Sequence, residues 1–312
     1  MQRMPKRSGI LGMDIGGTRF RIGFVGQDGI LSHYREERTQ EYFKEGEDIF
    51  SVFAELFQTY KREFSEEIEI LALSVGLPST IDRSRKVILQ TPNIPLFPDN
   101  FAFTDQMQEK IGLPVFINRD VNNLLLYDME QLGISEESSV SAIYFGTGVG
   151  NAVFLNGRIL LGKNGVASEL GHLPVLLNEK KCSCGNVGCL ETIVSGIALQ
   201  ALQKEKFPNI RIDDIFVEEK DDPEVDLFVR NMAKVIATEE NLFDPDYILL
   251  GGGLPMMSGF PKERLEKYAH EFTRKPYPEQ NMEIVYAKMD QKNGVLGACL
   301  YGKKRLEDSS YL

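Results

Sequence analysis

An arrangement of an apolar stretch, a turn rich in glycine and threonine, and a second apolar stretch occurs twice in this chain. The first copy is GMDIGGTRFRIGFVGQDG, which begins at Gly12, and the second is YFGTGVGNAVFLNG, which begins at Tyr144. A third variation, YILLGGG from Tyr247, ends an apolar stretch in three glycines. No short repeat period accompanies these copies, which argues against a solenoid. The pattern predicts two lobes, each opening with a strand, a phosphate-sized turn and a second strand.

The bulk properties fit this two-lobed organisation. A chain of 312 residues is long enough for two separate cores, and its 42% hydrophobic and 26% charged residues are ordinary for a globular protein. No apolar run reaches about 18 residues, and MQRMPKRSGI lacks the apolar centre of a signal peptide, so we expect a cytoplasmic protein without a membrane partner. The net charge of −11 argues against a nucleic-acid partner, because phosphate contacts need a basic face.

Hydrophobic periodicity predicts alternating strands and helices. Residues 48–64 place apolar side chains at helical spacing. The continuous apolar run IEILALSVGLP is typical of a strand buried on both faces, and LPVFINRDVNN predicts a short strand that ends in polar residues. Asp28-Gly29 indicates a hairpin. Strands that alternate with helices imply an α/β protein with a largely parallel sheet.

The glycine-rich turns are candidate phosphate sites. Glycine lets backbone N–H groups approach an anion without an intervening Cβ. The glycines concerned are Gly16, Gly17, Gly146, Gly148 and Gly150. Thr18 and Thr147 add hydroxyl donors, and Asp14 could hold a metal ion. Glycines between strands are also common in plain turns, and neither turn has a Walker A or Rossmann pattern, so each turn alone leaves both interpretations open.

The segment ELGHLPVLLNEKKCSCGNVGCLE, from Glu169 to Glu191, concentrates potential metal ligands. The whole chain has three histidines and four cysteines, yet one histidine and three cysteines fall within residues 172–189. These residues are His172, Cys182, Cys184 and Cys189. They are ligands that zinc prefers, and four protein ligands predict a closed, structural site. The alternative is three buried thiols beside a hydrogen-bonded histidine. Cys299 lies far away in the sequence and is expected to be a core thiol.

Several motifs together resemble one known architecture. DIGGTRFRIG, GTGVG and the GGG of YILLGGG resemble the two phosphate motifs and the adenosine motif of the hexokinase–actin ATPase fold. GVASELGH and the cysteines after it are similar to the glycine–glutamate–leucine–glycine–histidine and zinc signature of the ROK family (repressors, open reading frames, kinases). The resemblance extends from about Leu11 to about Gly297. It implies a two-lobed actin/hexokinase-like (ribonuclease H-like) α/β fold whose interlobe cleft holds sugar and ATP. The smaller lobe would comprise residues 1–117 and 294–312, and the larger lobe residues 118–293 with the zinc loop 172–189.

The resemblance implies ATP-dependent phosphorylation of a hexose at its 6-hydroxyl, with Mg²⁺, a structural Zn²⁺ and a homodimer. Asp120 in NRDVN matches the catalytic base of the family, and zinc would hold the loop so that Glu169 and Glu191 converge on the sugar. The implied sugar contacts are Arg119, Asp120, Glu169, His172, Glu191 and, more weakly, Asn93 and Ser79. The implied ATP and phosphate contacts are Asp14, Gly16, Gly17, Thr18, Arg19, Gly146, Thr147, Gly148, Gly251, Gly252 and Gly253.

One residue departs from the family pattern. Arg119 stands where most family kinases have an asparagine, and an arginine can only donate hydrogen bonds. We expect it to donate to the axial 3-hydroxyl of D-allose, since NRDVN, QTPNIPL and NLFDPDYILLGGG resemble D-allose kinases of this family. The alternative is that Arg119 turns away and pairs with a nearby acid.

Other functions remain as alternatives. N-acetylmannosamine kinase and glucokinase are alternatives within the family. A non-catalytic sugar sensor or repressor is an alternative of another class. The intact Asp14 and Asp120 favour a kinase over a sensor. The 13 residues before Asp14 are too few for a helix-turn-helix domain, which argues against a repressor.

Overall fold

The computed structural model describes residues 5–44, 46–92, 94 and 97–311. The chain forms two compact units: Met1–Glu130 with Leu161–Ala167 and Asp290–Leu312, and Gln131–Leu160 with Ser168–Met289. Each unit has its own hydrophobic core, as the repeated sequence pattern predicts. Among the described residues, no helix has the length and apolar character needed to cross a lipid bilayer.

Strands and helices alternate along much of the chain. The strands are β1 Arg7–Ile15, β2 Arg19–Gly26, β3 Leu31–Arg38, β4 Ile68–Leu77, β5 Thr80–Ile81, β6 Val87–Gln90, β7 Phe101–Ala102, β8 Val115–Arg119, β9 Val140–Phe145, β10 Val149–Leu155, β11 Arg158–Ile159, β12 Tyr247–Gly251 and β13 Ile284–Tyr286. The α-helices are α1 Thr39–Tyr42, α2 Ile49–Glu63, α3 Phe103–Ile111, α4 Asp120–Leu132, α5 Glu191–Val194, α6 Gly196–Lys206, α7 Ile215–Glu218, α8 Pro223–Phe243, α9 Lys262–Phe272 and α10 Asn293–Glu307. Short 3₁₀ helices span Leu170–His172, Ile212–Asp214, Leu254–Met256 and Glu279–Asn281.

Each unit is built on a mixed sheet. The first sheet has the order β3-β2-β1-β4-β8 and the second has the order β11-β10-β9-β12-β13. In both sheets the strands joined by short turns pair antiparallel, whereas β1-β4-β8 and β9-β12-β13 pair parallel. The expectation of a largely parallel sheet is therefore wrong. Short glycine-rich turns permit only antiparallel hairpins, because a parallel connection needs a crossover of a dozen or more residues.

The elements predicted from periodicity are present. Helix α2 covers the predicted helical segment, and its buried residues Ile49, Phe53, Phe57 and Tyr60 repeat at the helical period. Asp48 caps this helix by accepting a hydrogen bond from the Ser51 N–H at 3.0 Å. The hairpin predicted at Asp28-Gly29 joins β2 to β3. These outcomes confirm the local predictions.

Helix α10 completes the first unit. It begins at Asn293, beside the predicted start at Gly294, and it packs on β1, where a Cβ at Gly12 would lie 2.5 Å from the Cys299 Sγ. Cys299 is 2% exposed, which confirms it as a core thiol. A Cβ at Gly297 would lie 2.1 Å from the Asn123 carbonyl oxygen, so α10 also packs closely on α4. This contact explains why the first unit extends to Glu130, beyond the expected boundary at residue 117.

Candidate active site

Two acids lie at the carboxyl edge of the parallel strands of the first unit. In the sheet register, Asp14 of β1 is next to Gly76 of β4, and Gly76 is next to Asn118 of β8. A Cβ at Gly76 would lie 3.7 Å from both the Asp14 Oδ1 and the Asp120 Cα. The structure therefore brings Asp14 and Asp120 to the same end of the sheet, the end at which open α/β sheets bind ligands.

Asp120 has the acid–base properties of a general base. Burial raises the pKa of Asp120 to about 6, and the neighbouring negative charge of Asp14 raises it as well. The Val121 N–H acts in the opposite sense by donating to Asp120 Oδ1 at 2.8 Å. A carboxyl group with a pKa near 6 is mostly ionised at neutral pH and is a stronger base than an ordinary aspartate.

Three buried asparagines hold the turn that carries Asp120. The Asn118 Oδ1 accepts from the Arg119 N–H and from the Asn122 Nδ2, both at 3.0 Å, and the Asn118 Nδ2 donates to the Asn123 Oδ1 at 3.1 Å. All three asparagines are buried. Sequence reasoning did not assign this role to Asn118 and Asn123. The signal that could have found them is the group of amides around an aspartate at a strand end.

Asp14 lies between the Arg21 guanidinium and the first turn of α10. Burial raises the pKa of Asp14, while the Arg21 Nη1, 3.4 Å from Asp14 Oδ2, lowers it. A Cβ at Gly294 would lie 2.3 Å from Asp14 Oδ2, so the carboxylate packs against the first turn of α10. Mg²⁺ in phosphoryl-transfer sites is commonly held by one or two carboxylates together with phosphate oxygens. The carboxylate of Asp14, whose side chain is 17% exposed, fits such a role.

The first glycine turn presents exposed residues at its tip. The Gly16 N–H donates to the Arg19 carbonyl at 2.9 Å, and the Thr39 hydroxyl donates to the Gly16 carbonyl at 2.7 Å. These bonds fix the base of the turn, while Gly17 and Thr18 are exposed. The Arg19 guanidinium forms an ion pair with Glu36.

A pocket of about 510 Å³ in the second unit collects several of the predicted nucleotide contacts. Its lining includes Gly146, Thr147 and Gly253. Gly252, the residue before Gly253, has φ +88°, and a Cβ there would lie 2.4 Å from the Phe145 carbonyl oxygen. A Cβ at Gly251 would likewise lie 2.6 Å from the Tyr144 ring. Glycine is therefore required for β12 to pass close to β9.

The start of α6 was not predicted as part of this pocket. The Gly196 N–H donates to the Gly146 carbonyl at 2.8 Å, and the Ile197 N–H donates to the Thr147 carbonyl at 3.2 Å. Both α6 residues line the pocket. No motif in the surrounding sequence would have identified them.

The predicted metal ligands converge in the second unit. The ligand atoms of His172, Cys182, Cys184 and Cys189 all lie within 4.8 Å of one another. The Sγ atoms of Cys184 and Cys189 are 3.6 Å apart, and the same distance separates the Cys182 Sγ from the His172 Nδ1. Zn–S bonds of about 2.3 Å place tetrahedral ligands about 3.8 Å apart, so this donor set fits zinc.

Two glutamates flank the histidine of this cluster. The His172 Nε2 lies 3.8 Å from Glu169 Oε2, and its Nδ1 lies 3.8 Å from Glu191 Oε1. The Cys182 thiol donates to Glu191 Oε1 at 3.1 Å. A Cβ at Gly148 would lie 2.7 Å from Glu191 Oε2, so this glycine of the second turn is close to Glu191. The Nδ1 of His172 therefore faces the cysteines, and its Nε2 faces Glu169.

Three predicted sugar contacts remain: Arg119, Ser79 and Asn93. The Arg119 Nη1 donates to the Ala167 carbonyl at 2.9 Å. Ser79 is buried, and its hydroxyl is 2.6 Å from that of Thr91. Asn93 lies outside the residues that the structure describes.

Comparison with known proteins identifies the family. The model of the ROK family matches residues 10–305. This chain belongs to the ROK family. The family assignment made from the glycine turns and the histidine–cysteine segment is thereby confirmed, whereas the closer resemblance to D-allose kinases stays a prediction.

This ROK protein is similar over nearly its whole length to curated family members. It is 28% identical to a glucokinase from Thermotoga maritima, a match that covers 97% of this chain and 99% of the relative. It is 30% identical to an N-acetyl-D-glucosamine kinase from Aliivibrio salmonicida, with 94% and 99% covered. The crystal structure of a ROK hexokinase from Thermus thermophilus matches with a TM-score of 0.75 and 28% identity, over 96% of this chain and 99% of that one. The two-lobed actin/hexokinase-like α/β fold is confirmed.

Proposed function

We propose that this ROK-family enzyme, an ATP-dependent sugar kinase, transfers the γ-phosphoryl group of ATP to the 6-hydroxyl of a hexose. The observation that carries the proposal is Asp120, a carboxylate with a pKa raised to about 6 that lies beside Asp14 at the carboxyl edge of β1, β4 and β8. The kinase activities named for the relatives from Thermotoga maritima and Aliivibrio salmonicida support the same class of reaction.

Asp120 supplies what a sugar hydroxyl lacks at neutral pH. It accepts the proton of the 6-hydroxyl as that oxygen attacks the γ-phosphorus, and the bond from phosphorus to the leaving ADP oxygen breaks. Asp14 would hold Mg²⁺ directly or through water, and the cation would neutralise charge on the phosphoryl oxygens. We assign the backbone N–H groups of Gly17, Thr18 and Thr147 to the phosphates, and the 510 Å³ pocket to the nucleoside.

Sugar recognition is assigned to the acids beside the metal cluster. Glu169 and Glu191 would accept hydrogen bonds from ring hydroxyls, and His172 would use Nε2 for the sugar while Nδ1 binds zinc. Charged acceptors give strong, directional recognition of hydroxyl groups. Zn²⁺ on His172 and the three cysteines would fix the loop that carries both glutamates. Ser79 is a weaker candidate, because its hydroxyl is already paired with Thr91.

Our proposed substrate is D-allose, on the basis of Arg119 in place of the family asparagine. A second candidate is D-glucose or its 2-acetamido derivative, which the named activities of the relatives favour. The hydrogen bond from Arg119 to Ala167 also favours the second candidate, since it engages one of the nitrogens that would serve a 3-hydroxyl. N-acetylmannosamine remains the third candidate.

The deciding experiment is kcat/KM over D-allose, D-glucose, D-mannose, D-fructose, N-acetylglucosamine and N-acetylmannosamine. It is run for the unmodified enzyme and for Arg119→Asn. The allose assignment requires D-allose to rank first in the unmodified enzyme and to lose ground to D-glucose in the variant. The same ranking in both proteins would remove Arg119 as the discriminator. Absence of ATP consumption with every sugar would contradict the kinase and favour the sugar sensor. The expected homodimer stays a prediction.

A further inference from the structure

Arg85 is a buried arginine whose guanidinium is only partly paired. Arg85 is 2% exposed, and burial lowers the pKa of its guanidinium to about 10. Its Nη1 donates to the carbonyls of Ile81 and Gly165, at 3.3 and 3.2 Å. Its Nε and Nη2 have no hydrogen-bond partner among the residues that the structure describes. A buried, half-paired charge costs stability, so a contribution to stability does not account for it.

The turn that carries Arg85 is built to hold it in this position. Both Asp82 carboxylate oxygens accept backbone N–H groups of the turn: Oδ1 from Lys86 and Val87 at 2.9 and 2.7 Å, and Oδ2 from Ser84 at 3.1 Å. Arg85 itself has φ +58°, a left-handed conformation that is strained for any residue other than glycine. The Thr104 hydroxyl donates to the Arg85 carbonyl at 3.2 Å and ties the turn to α3. A strained and buried arginine is thus fixed from several sides.

The partner of Arg85 is a segment that returns to the first unit from the second sheet. Residues 161–167 belong to the first unit, although the chain on either side belongs to the second. Gly165 has φ +84°, and a Cβ there would lie 2.5 Å from the Arg83 nitrogen and from the Ile81 carbonyl oxygen. Glycine therefore lets the segment lie directly on the turn of Arg85.

A second arginine holds the same segment two residues later. The Arg119 Nη1 donates to the Ala167 carbonyl at 2.9 Å, and the Ala167 N–H donates to the Leu161 carbonyl at 3.0 Å. Ser168 follows with φ +66° and leads directly into Glu169. The Arg85 and Arg119 guanidinium groups therefore hold the backbone immediately ahead of Glu169, the acid that we assign to the sugar. Arg119 is also adjacent to Asp120 in sequence.

We propose that Arg85 is a positioning residue of the sugar site, which acts by holding the Gly165 carbonyl and through it the backbone that leads to Glu169. This inference rests on the proposed function, because Glu169 is there assigned to the sugar. Arg85 touches neither sugar nor ATP in this role. Its loss displaces Glu169 and weakens sugar binding, while the pocket lined by Gly146 and Gly253 keeps its affinity for ATP.

The test compares Arg85→Met and Arg85→Lys with the control Arg83→Met, which makes the same change at an exposed residue of the same turn. Arg85→Met is expected to raise the sugar KM about 10-fold at nearly constant ATP KM and Tm, since small misplacements of positioning groups have large kinetic effects. Arg85→Lys keeps a shorter donor, and we expect about a threefold rise. Arg83→Met should match the unmodified enzyme.

Hydrogen exchange without substrate provides a second readout. Both Arg85 variants should exchange the amides of residues 161–169 faster than the unmodified chain, with the core strands β1 and β4 unchanged. An unchanged sugar KM in an active enzyme, or equal increases in the KM for sugar and for ATP, would overturn the role of Arg85. An unmodified enzyme that phosphorylates no hexose would overturn the proposed function instead. If Arg85→Met does not fold, Arg85→Lys decides by the same two measurements.

Discussion

At the scale of single residues, Asp14 and Asp120 are two acids in similar positions with different electrostatic surroundings. Burial raises the pKa of both carboxyl groups. Asp14 has Arg21 at 3.4 Å, which favours its ionised form, whereas Asp120 faces the negative charge of Asp14, which favours its protonated form. This difference in surroundings supports the proposed assignment of Asp14 to the cation and of Asp120 to proton transfer.

The raised pKa of Asp120 predicts how activity depends on pH. The base acts only as the carboxylate, so kcat/KM for the sugar should fall about tenfold per pH unit below about 6 and level off above it. Asp120→Asn should lower kcat by about 10²–10⁴ and abolish this inflection, with Tm retained. Asp99→Asn, a change at an exposed acid, is the control. A profile without an inflection between about pH 5 and 8 would count against Asp120 as the base.

At the scale of elements, the close approach of the chain after β12 to the end of β9 depends on Gly252 more than on Gly253. A Cβ at Gly252 would meet the Phe145 backbone at 2.4 Å, and its φ of +88° is left-handed, whereas a Cβ at Gly253 would meet nothing within 4 Å. Both glycines belong to the predicted adenosine motif, but only Gly252 is required by the backbone. The two positions therefore provide a matched pair.

Gly252→Ala should raise the KM for ATP strongly, about 10-fold or more, because the neighbouring pocket that we assign to the nucleoside must shift to accommodate the added methyl group. Gly253→Ala should change it about twofold or less. The sugar affinity, measured by calorimetry without ATP, should be retained in both variants. Equal effects of the two substitutions on the KM for ATP would show that the close approach to Phe145 does not shape the pocket.

The zinc loop, residues 172–189, is a second element whose geometry predicts the effect of a substitution. Burial raises the pKa of the Cys182 thiol to about 12, and a bound Zn²⁺ would reverse this by stabilising the thiolate. Cys184→Ser, or a strong chelator, should remove about one zinc per chain and raise the sugar KM more than the ATP KM. Cys299→Ala is the control that should keep its zinc. Elemental analysis that finds no zinc in protein purified without chelators would refute the site.

The sequence predicted the elements and sites that depend on local chemistry. The helix from Ile49, the hairpin at Asp28-Gly29 and the convergence of the four metal ligands all follow from spacing along the chain. The mixed sheet was missed, because strand direction depends on which strands become neighbours. Arg85 was missed for the same reason: its partner Gly165 is 80 residues away, and no local pattern connects them.

At the scale of the whole molecule, a ligand that binds the folded chain and not the unfolded chain should raise Tm. A ligand at 100 times its Kd adds about 2.7 kcal/mol to the free energy of unfolding. The order of Tm shifts over the sugar panel should match the order of kcat/KM. Asp120→Asn should preserve these shifts, because it removes the base and keeps the binding groups. A best substrate that leaves Tm unchanged would contradict this prediction.

The packing of α10 on β1 also determines the order in which the chain can mature during synthesis. Residues 131–289 contain the whole second unit, so every part of that unit leaves the ribosome before α10 does. The first unit, by contrast, keeps Gly12 of β1 uncovered until residues 293–307 arrive to fill the space beside it. The first unit, whose synthesis begins before that of the second, is therefore completed after it.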